Sequence, residues 1–166
     1  PHSRPTGDMS DDTGLKFVTN SDGIWVEGPT GERHVDLITG MWLKNLGHGR
    51  KEIADAVYEQ MLDISYSPGG TVAPATIKLA SKVASLTPDP ESRVYFVSGG
   101  SEAVETAIKM AKKYQYNIGE RGRWKVISRQ NSYHGATHLC MSLGFNSVNR
   151  PNDYGPLVPG NIRISN

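Results

Sequence analysis

Ser98-Gly99-Gly100-Ser101 stands between an apolar run, Val94-Tyr95-Phe96-Val97, and an amphipathic run that begins at Ala103. A strand that ends in Ser and Gly and passes straight into a helix can cradle a phosphate. The helix N-terminus presents unpaired N–H groups and a positive dipole end, and glycine lets the backbone approach the anion. Gly100 and Ser101 are the candidate contacts, with the Ser101 hydroxyl able to donate to a dianion. The stretch is neither a P-loop nor a dinucleotide fingerprint, since it lacks Gly-Lys-Ser/Thr and Gly-x-Gly-x-x-Gly. The competing reading is an ordinary strand-to-helix turn with a serine-type cap. Glu102 and Glu105 fall in the first helical turn, where a carboxylate suits the dipole. A carboxylate aimed at the phosphate itself would repel it.

Tyr133 follows a second apolar strand and shares the strand-end edge with Ser101, the place where open α/β sheets bind ligands. Its ring can stack on a planar ligand or rest as a half-buried surface aromatic. Gly135, two residues on, permits a tight approach. His134 and His138 stand four apart and could share a helix face, a metal-like spacing. No glutamate lies between them and no third ligand is apparent, so no metal is expected. His48, inside Gly47-His48-Gly49, reads as a buried, hydrogen-bonded loop histidine, and His2 and His34 carry no signal. Trp42, beside Met41, is either a pocket wall or core packing. Cys140, the one cysteine, reads as a small buried apolar residue rather than a nucleophile.

The elements that must position these residues alternate along the chain. Pro1 to about Thr13 is polar and rich in turn formers, a mobile arm. Leu15 to Val18 and Ile24 to Glu27 flank Asn20-Ser21-Asp22-Gly23 and predict a β-hairpin. A third strand is expected over His34 to Ile38. Arg50 to Met61 carries Ile53, Ala54, Val57 and Met61 at helical spacing, and Thr76 to Leu86 repeats the pattern. Tyr66 to Thr71 is a loop. Arg93 to Val97 and Trp124 to Ser128 predict strands buried on both faces, with a helix over Glu102 to Tyr116 between them. That βαβ order implies a parallel unit. Asn146 to Gly160 is rich in Pro, Gly and Asn and reads as a long surface loop.

Three segments together resemble the class III, or ω-type, pyridoxal-phosphate (PLP) aminotransferases: Trp42-Leu43-Lys44-Asn45-Leu46-Gly47-His48-Gly49, the run Gly99 to Lys109, and Ser132-Tyr133-His134-Gly135-Ala136-Thr137. They stand in family order, and the resemblance covers most of the chain from Gly23 onward. Where many relatives carry Asn-Ser before Gly-Ser, this chain has Ser98-Gly99. The resemblance implies fold type I, an α/β fold. Residues 1–14 would be a flexible arm, 15–74 the N-terminal segment of the small domain, and 75–166 the start of the large, mostly parallel-sheet PLP-binding domain. It implies that Gly100 and Ser101 hold the cofactor phosphate, that Tyr133, His134 and Gly135 cover the cofactor ring, and that Trp42 walls the substrate pocket. Pro68, Gly69 and Gly70 stand where several relatives carry pocket aromatics, so their amine specificity does not transfer. The Schiff-base lysine of the family is expected downstream of Asn166; Lys44, Lys78, Lys109, Lys112 and Lys125 lack its context. The chain therefore reads as the N-terminal part of a longer enzyme, inactive alone, with exposed sheet edge and apolar surface.

Composition sets the outer bounds. The chain has 166 residues, 37% hydrophobic and 21% charged, which suits one folded domain and argues against wholesale disorder. A formal net charge of +1 makes no case for nucleic acid or an anionic membrane. No apolar run reaches the ~20 residues of a membrane span. The single cysteine favours a reducing, cytoplasmic compartment. The family resemblance, not the composition, implies an activity that moves an amino group between an amine or amino-acid donor and a keto-acid acceptor such as pyruvate, in a homodimer. The alternatives are a non-catalytic phosphate-ligand-binding module that has lost the lysine, and a doubly wound nucleotide- or sugar-phosphate-binding enzyme.

Overall fold

A computed structural model describes residues 17–89, 91–144 and 154–165. The expected N-terminal arm lies outside the described residues, as do Leu15, Lys16 and residues 146–153 of the expected long loop. The chain divides into two compact units, one ending at Leu79 and the other beginning at Ala80.

The first unit opens with an antiparallel meander of β1 (Asn20–Asp22), β2 (Trp25–Glu27) and β3 (Arg33–Val35). Asp22 pairs with Trp25, so Gly23 and Ile24 make a two-residue turn, with Gly23 at φ +54°. The expected hairpin forms, but one step later than predicted: Asn20 to Asp22 are strand rather than turn. Asp22-Gly23 supplies the positive φ that a tight hairpin needs, and this outweighs the low strand propensity of Asn and Asp. The second connection closes through Gly31 (φ +83°), whose N–H donates to the Gly28 carbonyl at 3.1 Å. β3 starts one residue early and stops at Val35, short of the expected Ile38.

After β3 comes a feature the periodicity does not show. Thr39, Gly40, Met41 and Trp42 all have positive φ, at 49°, 57°, 56° and 69°. They form one turn of left-handed helix. Each non-glycine residue in it costs about 1–2 kcal/mol, because the Cβ crowds the following carbonyl. Two helices follow, α1 (Lys51–Asp63) and α2 (Pro74–Ala84). Both lie close to expectation, and Pro74 occupies the first helical position, where its missing N–H loses nothing. The predicted stripe of α1 is present but uncovered, with Ile53, Val57 and Met61 exposed by 46%, 53% and 61%.

In the second unit α3 (Gly100–Asn117) leads to β4 (Val126–Arg129), then α4 (His138–Leu143) and β5 (Asn161–Ile164). β4 and β5 are parallel, with Val126 opposite Asn161 and Arg129 opposite Ile164. The unit's core lies under α4, where Cys140, Ser142 and Leu143 are buried. Buried Ser142 is satisfied: its hydroxyl donates to the His138 carbonyl at 2.7 Å and accepts the Val158 N–H at 3.0 Å. Gly160 (φ +85°) passes directly over the Trp124 ring. The expected strand Arg93–Val97 has no ladder among the described residues, and β4 pairs with β5 instead of with it. An apolar run shows that a segment can be a strand, whereas its neighbour decides whether it is one. Tyr95 and Phe96 stay exposed, as the expectation of uncovered apolar surface requires.

Candidate functional site

The helical half of the expected strand-to-helix turn forms, with α3 starting at Gly100, but no strand leads directly into it among the described residues. Gly99 caps α3 in extended conformation, and the first helical hydrogen bond runs from Ala103 N–H to the Gly99 carbonyl at 3.0 Å. The N–H groups of Gly100, Ser101 and Glu102 therefore precede the helical ladder and point along its positive end. A glycine N-cap has no side chain to cap with. Glu102 compensates by folding back, its Oε2 accepting the Ser98 N–H at 2.7 Å, a variant of the capping box. Among the described residues a Cβ added at Gly99 or Gly100 would meet nothing within 4 Å, so both glycines face open space there.

Ser101 joins this turn to the second motif. Its Oγ accepts the N–H of Ala136 at 3.0 Å. Among the described residues no acceptor takes the hydroxyl hydrogen, and a hydroxyl accepts and donates independently. Cys140 Sγ contacts the Ser101 carbonyl at 3.4 Å. Gly135 (φ +133°) fits between them only because it lacks a side chain: a Cβ there would lie 2.5 Å from Ser101 Oγ and 2.9 Å from Cys140 Sγ. Ser101, Gly135, Ala136 and Cys140 thus form one contact cluster. Cys140 is a buried free thiol inside it, as expected of a small apolar residue.

Tyr133 and His134 divide the work differently. Tyr133 is 66% exposed, so its ring can meet a planar partner. His134 is braced. Ser132 Oγ donates to the Arg129 carbonyl at 2.5 Å and lies 3.0 Å from His134 Nε2. With its one hydrogen committed, Ser132 accepts, so His134 carries its proton on Nε2. His138 sits at the start of α4, 3.0 Å from the Pro156 carbonyl. His134 precedes Thr137, the cap of that helix, so the two histidines do not share a helix face. Among the described residues no group of three His, Cys, Asp or Glu could hold a metal ion.

In the first unit Trp42 is 74% exposed at the end of the left-handed turn. Asp36 anchors that turn. Its Oδ1 accepts the Ile38 N–H at 3.2 Å and its Oδ2 the Gly40 N–H at 2.6 Å. His48 Nε2 lies 2.9 Å from the same Oδ2, both side chains being largely buried. An ionised carboxylate only accepts, so His48 donates from Nε2. That bond, first among the causes, with the Gly40 and Ile38 N–H groups, holds the Asp36 carboxyl below its ordinary value of 3.8 against the opposing effect of desolvation. The His48 backbone exchanges hydrogen bonds with Gly23 in both directions, at 2.8 and 3.2 Å. Gly47 and Gly49 are required there, since side chains would crowd Gly23 and Asp22. His48 is thus the hydrogen-bonded loop histidine expected of it. Asp36 was not foreseen; an Asp three residues ahead of a turn, able to bond backbone N–H groups at i+2 and i+4, was the available signal.

The aminotransferase class-III family model matches residues 7–166. A probable aminotransferase of Mycobacterium tuberculosis is 37% identical over 151 residues, covering 90% of this chain and 32% of its own length. The β-alanine–pyruvate aminotransferase of Pseudomonas aeruginosa is 36% identical over 136 residues, covering 81% and 30%. Among solved structures, a PLP-bound amine transaminase from an uncultivated Pseudomonas species superposes with a TM-score of 0.85 at 32% identity, over 99% of this chain and 37% of that one. The chain belongs to the class III aminotransferases, with the α/β fold type I of PLP-dependent transferases. It spans about a third of the length of the curated relatives it matches.

The cofactor of the family is PLP, and the residues present fit it. Among the described residues the start of α3 offers free N–H groups, glycines facing open space and a hydroxyl with its hydrogen unused, all suited to a phosphate dianion. Among the described residues no helix is long and apolar enough to cross a membrane.

Proposed function

We propose that this chain is the N-terminal part of a PLP-dependent aminotransferase that moves an amino group between an amine or amino acid and a pyruvate-like keto acid. The observation that carries the reading is the Ser101–Ala136 hydrogen bond, which locks a phosphate-type turn to an exposed aromatic on the following loop. The name of the Pseudomonas aeruginosa relative supports pyruvate as acceptor. Bound PLP supplies an electron sink. The chain's own residues bind and orient. Gly100 and Ser101 hold the phosphate through N–H groups and the free hydroxyl hydrogen. Tyr133 lies against the ring. Gly135 keeps the backbone close, and His134, protonated on Nε2, braces the loop through Ser132. Trp42 walls the substrate pocket, and the Schiff-base lysine comes from the remainder of the protein.

The same reading takes residues 15–74 as part of the small domain and 75–166 as the start of the large one; the division into compact units near Leu79 supports this. It takes the complete protein as a homodimer, and the free thiol of Cys140 supports a reducing, cytoplasmic setting. The test is to purify the full-length protein, follow cofactor absorbance, and assay alanine formation from pyruvate with a panel of amines. Cofactor bound with amine-dependent alanine formation is the expected result. Cofactor bound without turnover on any donor would instead make this a phosphate-ligand-binding module, and no cofactor bound would defeat the reading.

A further inference from the structure

The strained turn Thr39–Trp42 would relax unless something outside it held it. Four consecutive left-handed residues are rare because three of them carry a Cβ. Strain of this kind persists only where the surroundings over-determine it. The internal bonds of the turn, Trp42 N–H to the Ile38 carbonyl at 3.0 Å and Lys44 N–H to the Thr39 carbonyl at 2.8 Å, do not tie it to the rest of the unit. The tie is Asp36. It sits at the end of β3 with its N–H on the Ile24 carbonyl at 2.8 Å, and its carboxylate takes the Ile38 and Gly40 N–H groups. His48 fixes that carboxylate from the other side, and the His48 backbone is itself pinned to Gly23. A continuous path therefore runs from the hairpin turn through the His48 ring and the Asp36 carboxylate to the backbone that carries Met41 and Trp42.

We propose that Asp36 and His48 form a positioning clamp that holds the left-handed turn and so sets where Trp42 stands for the amine donor. The inference rests on the reading of Trp42 as a wall of the substrate pocket. Neither Asp36 nor His48 touches substrate; both act through the turn. Gln at position 48 can present an amide N–H near the place of Nε2, whereas Asn is too short and Ala has no donor.

The experiment uses the full-length protein labelled with 5-fluorotryptophan, the Trp42 resonance being assigned by its loss in Trp42→Phe. Fluorine NMR is recorded for wild type, His48→Ala and His48→Gln. On the same proteins kcat/KM is measured for β-alanine and for 1-phenylethylamine. His48→Ala is expected to move the Trp42 resonance toward its unfolded position and to change the ratio of the two kcat/KM values by about tenfold. His48→Gln is expected to restore both. A Trp42 resonance left in place by His48→Ala overturns the clamp, whatever the ratio does. A ratio left unchanged by Trp42→Ala overturns the pocket reading instead, so the two failures are distinct. Should His48→Ala fail to fold, His48→Asn against His48→Gln carries the same contrast, and equal spectra for those two overturn the clamp.

Discussion

The hydroxyl oxygen of Ser101 accepts the backbone N–H of Ala136 at 3.0 Å, across 35 residues of sequence. That bond joins the start of α3 to the loop after β4 and, among the described residues, leaves the Ser101 hydrogen available. Ser101→Ala removes both functions. In the full-length protein it should weaken PLP retention by about 1–3 kcal/mol, the usual worth of a hydrogen bond to a charged group. The dissociation constant, read from cofactor absorbance, checks it, and an unchanged value would rule out Ser101 as a phosphate contact.

Gly135 has no room for a methyl group. With φ at +133° and a would-be Cβ 2.5 Å from Ser101 Oγ, Gly135→Ala is strained twice. The variant should lose more than about 1 kcal/mol of stability and bind PLP less well than Ser101→Ala, since the loop as well as the hydroxyl is displaced. Chemical denaturation and cofactor titration on the same samples measure the two effects.

Tyr133 is exposed. If it stacks on the cofactor, Tyr133→Phe keeps PLP affinity while Tyr133→Ala lowers it by about 0.5–1.5 kcal/mol. A cofactor-bound structure with the ring farther than about 7 Å from the pyridine would remove Tyr133 from the site.

Asp36 gives the first unit an acid limit. The His48 hydrogen bond holds its folded carboxyl below the ordinary 3.8. A carboxyl depressed on folding contributes its full stability above the unfolded value and loses it as the pH falls through the folded one. Wild type should therefore lose stability on acidification below about pH 4. Asp36→Asn, weaker at neutral pH, should lose less over the same range. Parallel stability-against-pH curves for the two proteins would show that Asp36 is not the group responsible.

Gly160 tests the second unit independently of any ligand. A Cβ there would overlap the Trp124 ring, and φ is +85°. The Gly160 carbonyl also accepts the Val126 N–H at 2.9 Å at the head of the β4–β5 pair. Gly160→Ala should lower the melting temperature markedly, and Gly160→Ala with Trp124→Ala should recover part of the loss. A melting temperature unchanged in the single variant would contradict the packing.

Local chemistry was legible in the sequence wherever it is written in adjacent residues. The phosphate-type turn needs only the order apolar run, Ser-Gly-Gly-Ser, amphipathic run, and the helices α1, α2 and α3 follow from 3.6-residue periodicity. The three motifs, read in order, identified the family. Periodicity could not say what pairs with what. Arg93–Val97 and Trp124–Ser128 look alike as apolar runs, yet among the described residues only the second found a ladder, because sheet hydrogen bonds belong to neighbours that a run does not name. The left-handed turn was invisible for a related reason. Thr39, Met41 and Trp42 have no intrinsic preference for positive φ, and the Asp36 carboxylate that bonds the turn's N–H groups meets a histidine twelve residues away only in the folded chain. The two motifs around Ser101 and Gly135 could be listed from sequence, but that one hydroxyl binds both was decided by the tertiary fold, since a 3.0 Å bond across such a separation exists only once α3 and the loop after β4 are packed together.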